Sequence, residues 1–267
     1  MEYIIYMIKL LVPNSPNSTF MMYEKEDVSD TFQVYSGSTF KDLQILNIAT
    51  FNTNIAVFTL NITDNKYNYN VFLSSNSGGN WEKIKSYPDN ISERFTSAFT
   101  MDLNKIYIGT IYDGIFTIEY SNGSEHYSNI GLDGITISSF IEDKDIDIAA
   151  SYLNGIYYKA KKSNEWLRSE SSPNISTQSG ISFKNINKVI RRNGKYYAAT
   201  NLGIYQSVDG KTWNEYALLE YMILDITLVN NTMYALGNFN SGYLFTSTDD
   251  GVNWSSKKLP NDAIALS

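Results

Sequence analysis

Five carboxylates occur in stretches otherwise rich in Asn, Ser and Tyr, namely Asp64, Asp89, Glu93, Asp113 and Asp133. Two carboxyl groups that flank a glycosidic bond can hydrolyse it, one as the acid and the other as a nucleophile or base. The sequence alone does not give the distance in space between any two of these acids. Glycoside hydrolysis by loop carboxylates is therefore an alternative function that the sequence leaves open.

The chain has few residues of the kinds that metal, Ca²⁺ or phosphate sites require. It contains no Cys and a single His, His126, whereas a zinc site needs several such ligands. The acidic run from Glu142 to Asp147 matches no Ca²⁺-binding loop pattern. The pair Gly78-Gly79 does not precede a helix, as a phosphate-binding loop would. We predict no catalytic residue, no cofactor and no metal site, and we favour a protein that is not an enzyme.

Charge and hydropathy exclude further classes of partner. The net charge is −7, so the chain lacks the excess of basic residues that binds the phosphates of a nucleic acid. No stretch reaches the roughly 18 to 20 apolar residues of a spanning helix, so we predict no membrane insertion. The first twelve residues lack the basic start and small-residue cleavage site of a signal peptide, and the sequence assigns no compartment.

Three short segments repeat one turn pattern: 74–81 (SSNSGGNW), 207–213 (SVDGKTW) and 247–254 (STDDGVNW). An Asp or Asn at the third position accepts hydrogen bonds from backbone N–H groups just beyond it, which closes a turn. The Gly supplies a positive φ, and the Trp opens the next strand with a large apolar surface. The pattern therefore predicts a structural turn rather than a catalytic one.

These segments resemble the Asp-box, or BNR repeat, written S-x-D-x-G-x-T-W, with the middle copy one residue shorter. The resemblance implies blades of a β-propeller. It does not imply a ligand, because the box occurs in propellers with unrelated activities.

A regular order of strands surrounds each box. In the clearest copy, strands at 186–191, 196–200 and 204–207 precede the box and a strand at 213–217 follows it. Asn193-Gly194 between the first two strands is a strong hairpin signal. The closing aromatic residues recur about every 44 residues, which is typical of a propeller blade. They are Phe32, Trp81, Tyr127, Trp166, Trp213 and Trp254.

Six units of this size account for the 267 residues. We therefore predict an all-β fold, a six-bladed β-propeller with four-stranded antiparallel blades, in a single domain over residues 1–267. The C-terminal strand 263–267 is predicted to complete the N-terminal blade beside the strand at 4–10, which would remove an open sheet edge.

The loops between second and third strands are expected on one face of the propeller, with the connections between blades and opposite the box turns. Their amides, carboxylates and aromatic rings suit hydrogen bonding and stacking with a ligand. We predict ligand-binding roles for seven residues: Asp64, Tyr112, Asp113, Tyr152, Asn154, Asn201 and Asn238.

Sialidases are the best-known six-bladed Asp-box family, and their chemistry can be tested against the arginines. A sialidase clamps its substrate carboxylate with three Arg, because a guanidinium matches a carboxylate bidentately. This chain has Arg94, Arg168, Arg191 and Arg192. The last two adjoin the turn at 193–194, which is expected on the face of the box turns, opposite the ligand-binding loops. The clamp cannot be built, and the Arg-Ile-Pro element of that family is missing. Photosystem-assembly factors have similar boxes but usually an Arg-rich patch, which four scattered arginines do not supply.

The function predicted from the sequence is therefore non-catalytic recognition or scaffolding, with a glycan or a protein partner bound on the loop face. A bias to Lys over Arg and 29 Asn residues are typical of an AT-rich genome, as in some viruses and low-GC bacteria, and in a virus the chain would be a virion or surface component.

Overall fold

A computed structural model of the chain describes residues 23–24, 33–34, 38–40, 43–63, 66–87, 95–169, 185–238 and 242–259. Within them lie five four-stranded antiparallel sheets, each with its strands in sequence order. Blade 1 contains β3 (Gln44–Phe51), β4 (Asn54–Thr63), β5 (Lys66–Ser74) and β6 (Glu82–Tyr87). A two-residue pair, β1 (Tyr23–Glu24) with β2 (Gln33–Val34), and a short 3-10 helix at Ser38–Phe40 precede it.

The other four blades follow the same plan. Blade 2 contains β7 (Phe95–Met101), β8 (Lys105–Thr110), β9 (Asp113–Glu119) and β10 (Glu125–Asp133). Blade 3 contains β11 (Ile137–Glu142), β12 (Ile146–Ser151), β13 (Gly155–Ala160) and β14 (Leu167–Arg168). Blade 4 contains β15 (Ile186–Arg192), β16 (Lys195–Thr200), β17 (Gly203–Ser207) and β18 (Asn214–Ala217). Blade 5 contains β19 (Met222–Val229), β20 (Thr232–Asn238), β21 (Gly242–Ser247) and β22 (Ser255–Lys258).

The prediction of six blades was wrong, because the described sheets form five. Each closing aromatic from Trp81 onward does lie at or just before the fourth strand of a blade. The error came from dividing the whole length by the repeat, which assigned every residue to a blade although the four-stranded sheets begin only at Gln44. Around the degenerate box ending at Phe32, the described residues form only the two-residue pair β1–β2.

The predicted closure by strand 263–267 was part of the six-bladed arrangement, which the five described blades contradict. Residues 263–267 and 4–10 lie outside the described part of the chain.

The core lies between consecutive blades, because every blade is a twisted sheet with two apolar faces to bury. The middle strands are nearly continuous runs of buried residues, as in β12, where all six residues are buried. Such runs are typical of strands covered on both faces. One apolar cluster joins blades 1 and 2, and others join the later neighbours. No helix in these residues is long and apolar enough to cross a membrane.

The innermost strand of every blade is interrupted by a register shift near its start. In blades 1, 3, 4 and 5 it falls at Ile45/Asn47, Ile137/Ser139, Ile186/Lys188 and Ile223/Asp225, and blade 2 has one between Phe95 and Phe99. A bulge of this kind bends the strand and re-aims its side chains. The same distortion therefore recurs around the centre of the propeller.

Candidate functional site: loop face and central channel

The three box segments form the hydrogen-bonded turns expected of their residues. In blade 4 the Asp209 carboxylate accepts from the backbone N–H of Lys211 and Thr212, both at 2.8 Å, and the Ser207 hydroxyl accepts from Gly210 at 2.8 Å. The indole N–H of Trp213 donates to the Gly210 carbonyl at 3.2 Å. These groups are engaged within the turn itself, so the turn is structural.

The other two boxes repeat these contacts. In blade 5, Asp249 accepts from the backbone N–H of Asn253 at 2.9 Å, and in blade 1 the amide oxygen of Asn76 accepts from Asn80 at the same distance. The Asn253 backbone and side chain and the Ser247 hydroxyl together hold the pKa of the Asp249 carboxyl at about 2. Burial opposes the shift at Asp209, but hydrogen bonds from Thr212 and Lys211 still keep its pKa low.

The box turns lie at the same end of the blades as the hairpins between first and second strands. The backbone N–H of Ser77 donates to Thr53 at 2.8 Å, and that of Tyr120 donates to Asn104 at 2.9 Å. We call this end the box face. Arg191 pairs there with Asp143 at 2.6 Å and Arg192 pairs with Asp250, so both are occupied in contacts between blades. Their location agrees with the argument against a sialidase clamp.

We call the opposite end the loop face and define it, for blades 2 to 4, as segments 111–114, 133–136, 152–155, 201–203 and 218–221. A hydroxyl group closes each loop between second and third strands. Thr110 accepts from the backbone N–H of Asp113 at 2.8 Å and donates to Gly114, while Thr200 accepts from Leu202 at 3.0 Å. In blade 3 the Ser151 hydroxyl accepts from Asn154 at 3.3 Å. Local hydrogen bonds therefore order these tips.

The tips are also tied to the connections between blades. The backbone N–H of Gly134 donates to Tyr112 at 2.9 Å, and the Thr136 hydroxyl donates to Ile111 at 3.1 Å. The Thr136 backbone carbonyl accepts from the backbone N–H of Tyr152 at 3.3 Å. A continuous set of hydrogen bonds thus joins the loop of blade 2 to that of blade 3.

The connection after blade 4 is held by a close approach of two backbones. A Cβ at Gly203 would lie 2.7 Å from the Ala217 carbonyl oxygen and 2.7 Å from the Leu219 Cα, so only Gly fits at this position. Leu218 has φ of 54°, which is costly for a bulky side chain. The backbone N–H of Gly203 donates to Tyr221 at 2.8 Å, and this bond fixes the connection against the loop.

Apolar side chains stand exposed on these ordered tips. The exposed fraction is 62% for Tyr112, 67% for Leu153 and 43% for Leu219. Isolated exposed apolar residues are ordinary on a protein surface. Tyr112 and Leu153 occupy corresponding loops of blades 2 and 3, and Leu219 lies on the connection after blade 4. Together they indicate a surface suited to contact with a partner.

A central channel of about 910 Å³ passes among the innermost strands. Its wall combines aromatic, amide, hydroxyl and charged side chains from all five blades. They include Asn47, Thr50, Phe51, Phe99, Asp102, Tyr107, Ser139, Phe140, Glu142, Tyr152, Asn187, Lys188, Arg191 and Asp225.

Several polar groups of the channel join neighbouring blades. The Ser138 hydroxyl donates to the Ile186 carbonyl, and the Asn187 amide donates to the Ile223 carbonyl at 2.6 Å. Lys188 pairs with Asp225 at 2.8 Å. These residues follow or occupy the bulges, so the distorted strand starts direct side chains across to the next blade.

Two carboxyl groups approach each other on the channel wall, Asp102 and Glu142. Burial raises the pKa of Glu142 and a hydrogen bond with Asp102 acts in the same direction, whereas Lys161 at 2.8 Å opposes them. Asp102 accepts from the backbone N–H of Asn104 and Lys105, each at 2.7 Å, and from the Tyr107 hydroxyl at 2.8 Å. These bonds close a hairpin and engage both Asp102 oxygens, which favours a structural role.

Of the five acids suggested for glycoside hydrolysis, the structure describes Asp113 and Asp133. Asp64, Asp89 and Glu93 lie outside the described residues. Asp113 and Asp133 face each other as partners on β9 and β10, and neither belongs to the channel wall. In the described residues, no group of three or more His, Cys, Asp or Glu could hold a metal ion.

The seven predicted ligand-binding residues have different locations. Tyr152 is half-buried and lines the channel. Tyr112 and Asn238 are exposed, Asp113 and Asn154 are half-buried, and Asn201 contacts Asn187 at 3.4 Å. Asp64 lies outside the described residues. Their role in binding stays a prediction.

The sequence reasoning missed the channel residues Asp102, Glu142, Lys188 and Asp225, which lie on or just after first strands. Polar residues in an otherwise apolar first strand were the available signal, but strand alternation alone does not show which face meets the channel.

The model of the DUF6242 beta propeller domain matches residues 149–266, which covers blades 4 and 5 and most of blade 3. No curated protein matches the chain. The solved structure of YCF48 bound to D1 peptide is similar, with a TM-score of 0.58 at 13% identity over 89% of this chain and 74% of that one.

YCF48 from Cyanidioschyzon merolae has a TM-score of 0.58 at 14% identity, covering 89% of this chain and 78% of that one. The computationally designed Ika8 protein has a TM-score of 0.56 at 7% identity, with 89% and 80% covered. At these identities the likeness concerns the fold, and the chain is a β-propeller.

Proposed function

We propose that the chain is a non-catalytic propeller that binds a segment of a protein partner on its loop face, above the mouth of the central channel. The observation that carries the proposal is the exposure of Tyr112 and Leu153 on corresponding hydrogen-bonded tips of blades 2 and 3, with Leu219 exposed on the connection after blade 4. Pre-ordered contacts cost little conformational entropy on binding.

The fold neighbours support a protein partner in particular. One of the structures that share this fold is YCF48 bound to a D1 peptide. A propeller of this shape can therefore present a surface to a peptide. Exposed aromatic and aliphatic side chains beside amides, such as Asn154 and Asn201, suit an extended segment, whose backbone needs hydrogen-bonding groups.

The three box turns support a finer proposal about ancestry. Their Ser hydroxyl accepts from the box Gly, and their carboxylate or amide oxygen accepts from a later backbone N–H, in blades 1, 4 and 5. We therefore propose that the chain belongs with the Asp-box propellers, as a member without the arginine clamp of the sialidases.

The function can be tested with a phage library of random peptides of about twelve residues, selected on the immobilised protein. Affinities of synthetic copies are then measured by fluorescence polarisation. We expect Tyr112→Ala with Leu153→Ala to weaken binding by about tenfold or more, equivalent to about 1.4 kcal/mol. The matched control is Leu103→Ala, since Leu103 is 59% exposed in a hairpin at the box face. It should change the affinity by less than about twofold.

Two results would contradict this function. One is a selection that yields no specific peptide, and the other is an equal loss of binding in the loop-face variant and in the Leu103 control. A glycan array with Tyr112→Ala and Tyr152→Ala variants tests the glycan prediction in parallel. Selective glycan binding that these variants lose would favour a carbohydrate ligand over a protein.

A further inference from the structure

We infer that the partner segment lies over the end of blade 2, against a projecting hairpin of blade 1, and presents to this hairpin apolar side chains two residues apart. This inference rests on the proposed function and adds the place and the chemistry of the contact. It follows from the unequal heights of the blades at the loop face.

The hairpin between the second and third strands of blade 1 rises above those of the other blades. β4 has ten residues, whereas β8, β12 and β16 have six each and β20 has seven. The pairing of β3 with β4 begins at Gln44 and Leu60, so the pairs that join 61–63 to 66–68 lie beyond it. At about 3.4 Å per residue, these three pairs add about 10 Å to the blade. We call residues 61–63 and 66–68 the projecting hairpin.

The two faces of the projecting hairpin differ in polarity. Ala56 and Phe58 of β4 pack in the apolar cluster shared with blade 2, and Ile62 faces the same way because side chains alternate along a strand. Its cross-strand partner is Tyr67, and the two side chains are 56% and 45% exposed. The opposite face carries polar side chains, namely Asn61, Thr63, Lys66 and Asn68.

The apolar face of the hairpin continues the interface between blades 1 and 2. Leu60 pairs with Tyr69, and Tyr69 stacks on Phe58 with ring centroids 5.5 Å apart, within that interface. The pair of Ile62 with Tyr67 is one step further out on the same side of the sheet. The middle strands of blade 2 end lower, and an added layer would bury this outer pair as blade 2 buries the inner ones.

The end of blade 2 places an aromatic ring beside this position. Tyr112 lies in the loop that joins β8 to β9, its ring is 62% exposed, and the backbone N–H of Gly134 donates to its carbonyl at 2.9 Å. Packed sheets lie about 10 Å apart, so a segment resting on this loop is at the right distance to pack against the projecting hairpin. The segment would contact Tyr112 from above and the pair of Ile62 with Tyr67 from the side.

The spacing of the apolar residues follows from the geometry of an extended chain. Side chains at positions i and i+2 point to one side and lie about 7 Å apart. Those that face blade 1 gain free energy by removing apolar surface from water, whereas the intervening ones face away from the hairpin. We therefore expect the segment to carry aliphatic or aromatic residues at alternating positions.

The test uses the peptides selected on the immobilised protein and begins with their sequences, in which apolar residues should be enriched at alternating positions. Ile62→Thr with Tyr67→Thr removes the apolar face while keeping a residue that favours strands, and it should weaken a selected peptide about tenfold or more. Replacing one of the apolar peptide residues by Ser should weaken binding to the wild type similarly. The same replacement should add little loss in the double variant, since both changes remove one contact.

The control variant makes the same change on the other face of the same hairpin. Asn61 and Asn68 are also directly opposed, and Asn61→Thr with Asn68→Thr should alter the affinity by less than about twofold. Thermal melts of both double variants verify that the fold is retained. If the melt of the variant at Ile62 and Tyr67 is lowered, Tyr67→Thr alone replaces it.

The outcomes separate this inference from the proposed function. Peptides that require Tyr112 and Leu153, but bind the variant at Ile62 and Tyr67 as tightly as the wild type, would overturn the inference and leave the binding function intact. Equal losses in this variant and in the control would show an effect of hairpin conformation and would also overturn it. A failure to select any peptide would contradict the proposed function itself.

Discussion

Blades 1 and 2 meet mainly through stacked aromatic rings, beside an ion pair between Lys85 and Glu125 at 2.5 Å, whereas blades 4 and 5 are joined by a cluster of charged hydrogen bonds in addition to apolar packing. Between blades 1 and 2, the ring of Phe58 stacks on Phe99 with centroids 5.6 Å apart, and Tyr87 meets Phe116 edge to face at 5.6 Å. Phe58 is 1% exposed. This interface is stabilised mainly by removal of apolar surface from water.

Between blades 4 and 5, an apolar cluster is supplemented at the box face. Arg192 pairs with Asp250 and donates to the Asn231 carbonyl at 2.7 Å, while the Asn193 amide donates to Asp250 at 2.9 Å. The Tyr216 hydroxyl donates to the Asp250 carbonyl at 3.0 Å. Asp250, a residue of the box turn of blade 5, thus accepts hydrogen bonds from three residues of blade 4.

The difference shows what a box does and does not specify. Ser247 and Asp249 occupy defined positions of the pattern and bond within their own turn. Asp250 occupies a variable position, and it makes the contact between blades. Similar turns can therefore accompany quite different interfaces, since these depend on the residues that the repeat leaves free.

The largest effect is expected at the aromatic interface. Phe58→Ala should lower the free energy of unfolding by about 3–5 kcal/mol, because it removes a fully buried ring and leaves a cavity. Urea unfolding followed by Trp fluorescence measures the change. Phe58→Leu should recover most of the loss, and neither variant should respond to salt. A loss that salt removes would show that the interface is not apolar in origin.

Trp213→Ala should cost a comparable 3–5 kcal/mol or so, because this box Trp is 3% exposed and packs in the cluster between blades 3 and 4. Trp81, at the corresponding position of blade 1, is only half-buried, so Trp81→Ala should cost less in the same unfolding assay. An effect of Trp213→Ala below about 1 kcal/mol would contradict burial of this residue.

Asp250→Asn should have a smaller effect, about 1 kcal/mol at pH 7, since the ion pair is partly exposed to solvent. Hydrogen bonds from Asn193 and Arg192 hold the pKa of Asp250 below its ordinary value. Its contribution is therefore complete above that ordinary value and is lost as the pH falls through the lowered pKa. Melting curves from pH 7 downward should converge for variant and wild type, while Asp145→Asn shows no such difference. Curves that stay parallel would argue against the ion pair.

The smallest effect is expected within the box turns themselves. The pKa of Asp249 is held at about 2, so its stabilising contribution should be present above about pH 4 and lost between there and pH 2. Asp249→Asn should flatten the melting temperature over this window, and Asn76→Asp in blade 1 should steepen it. Identical pH profiles for wild type and Asp249→Asn would contradict these hydrogen bonds.

Much of the local structure could be predicted because its causes lie within a few residues. Asn193 and Gly194 have φ of 49° and 77°, as expected for the predicted two-residue hairpin. The four strands of blade 4 were predicted to within one residue at each end. The contacts of Asp209 reach no further than Thr212. Of the candidate site, the loop that carries Tyr112 could be located from the order of the strands, while the role of Tyr112 in binding stays a prediction.

Antiparallel blades closed by hydrogen-bonded turns could be predicted from the residues, because strand alternation and turn chemistry act over short distances. The number of blades, the residues that line the channel and the contacts between neighbouring blades follow from tertiary packing. Arg192 meets Asp250 across 58 residues of chain, and Asp102 approaches Glu142 from another blade. Such contacts depend on how twisted sheets pack against each other, and no local pattern records that geometry.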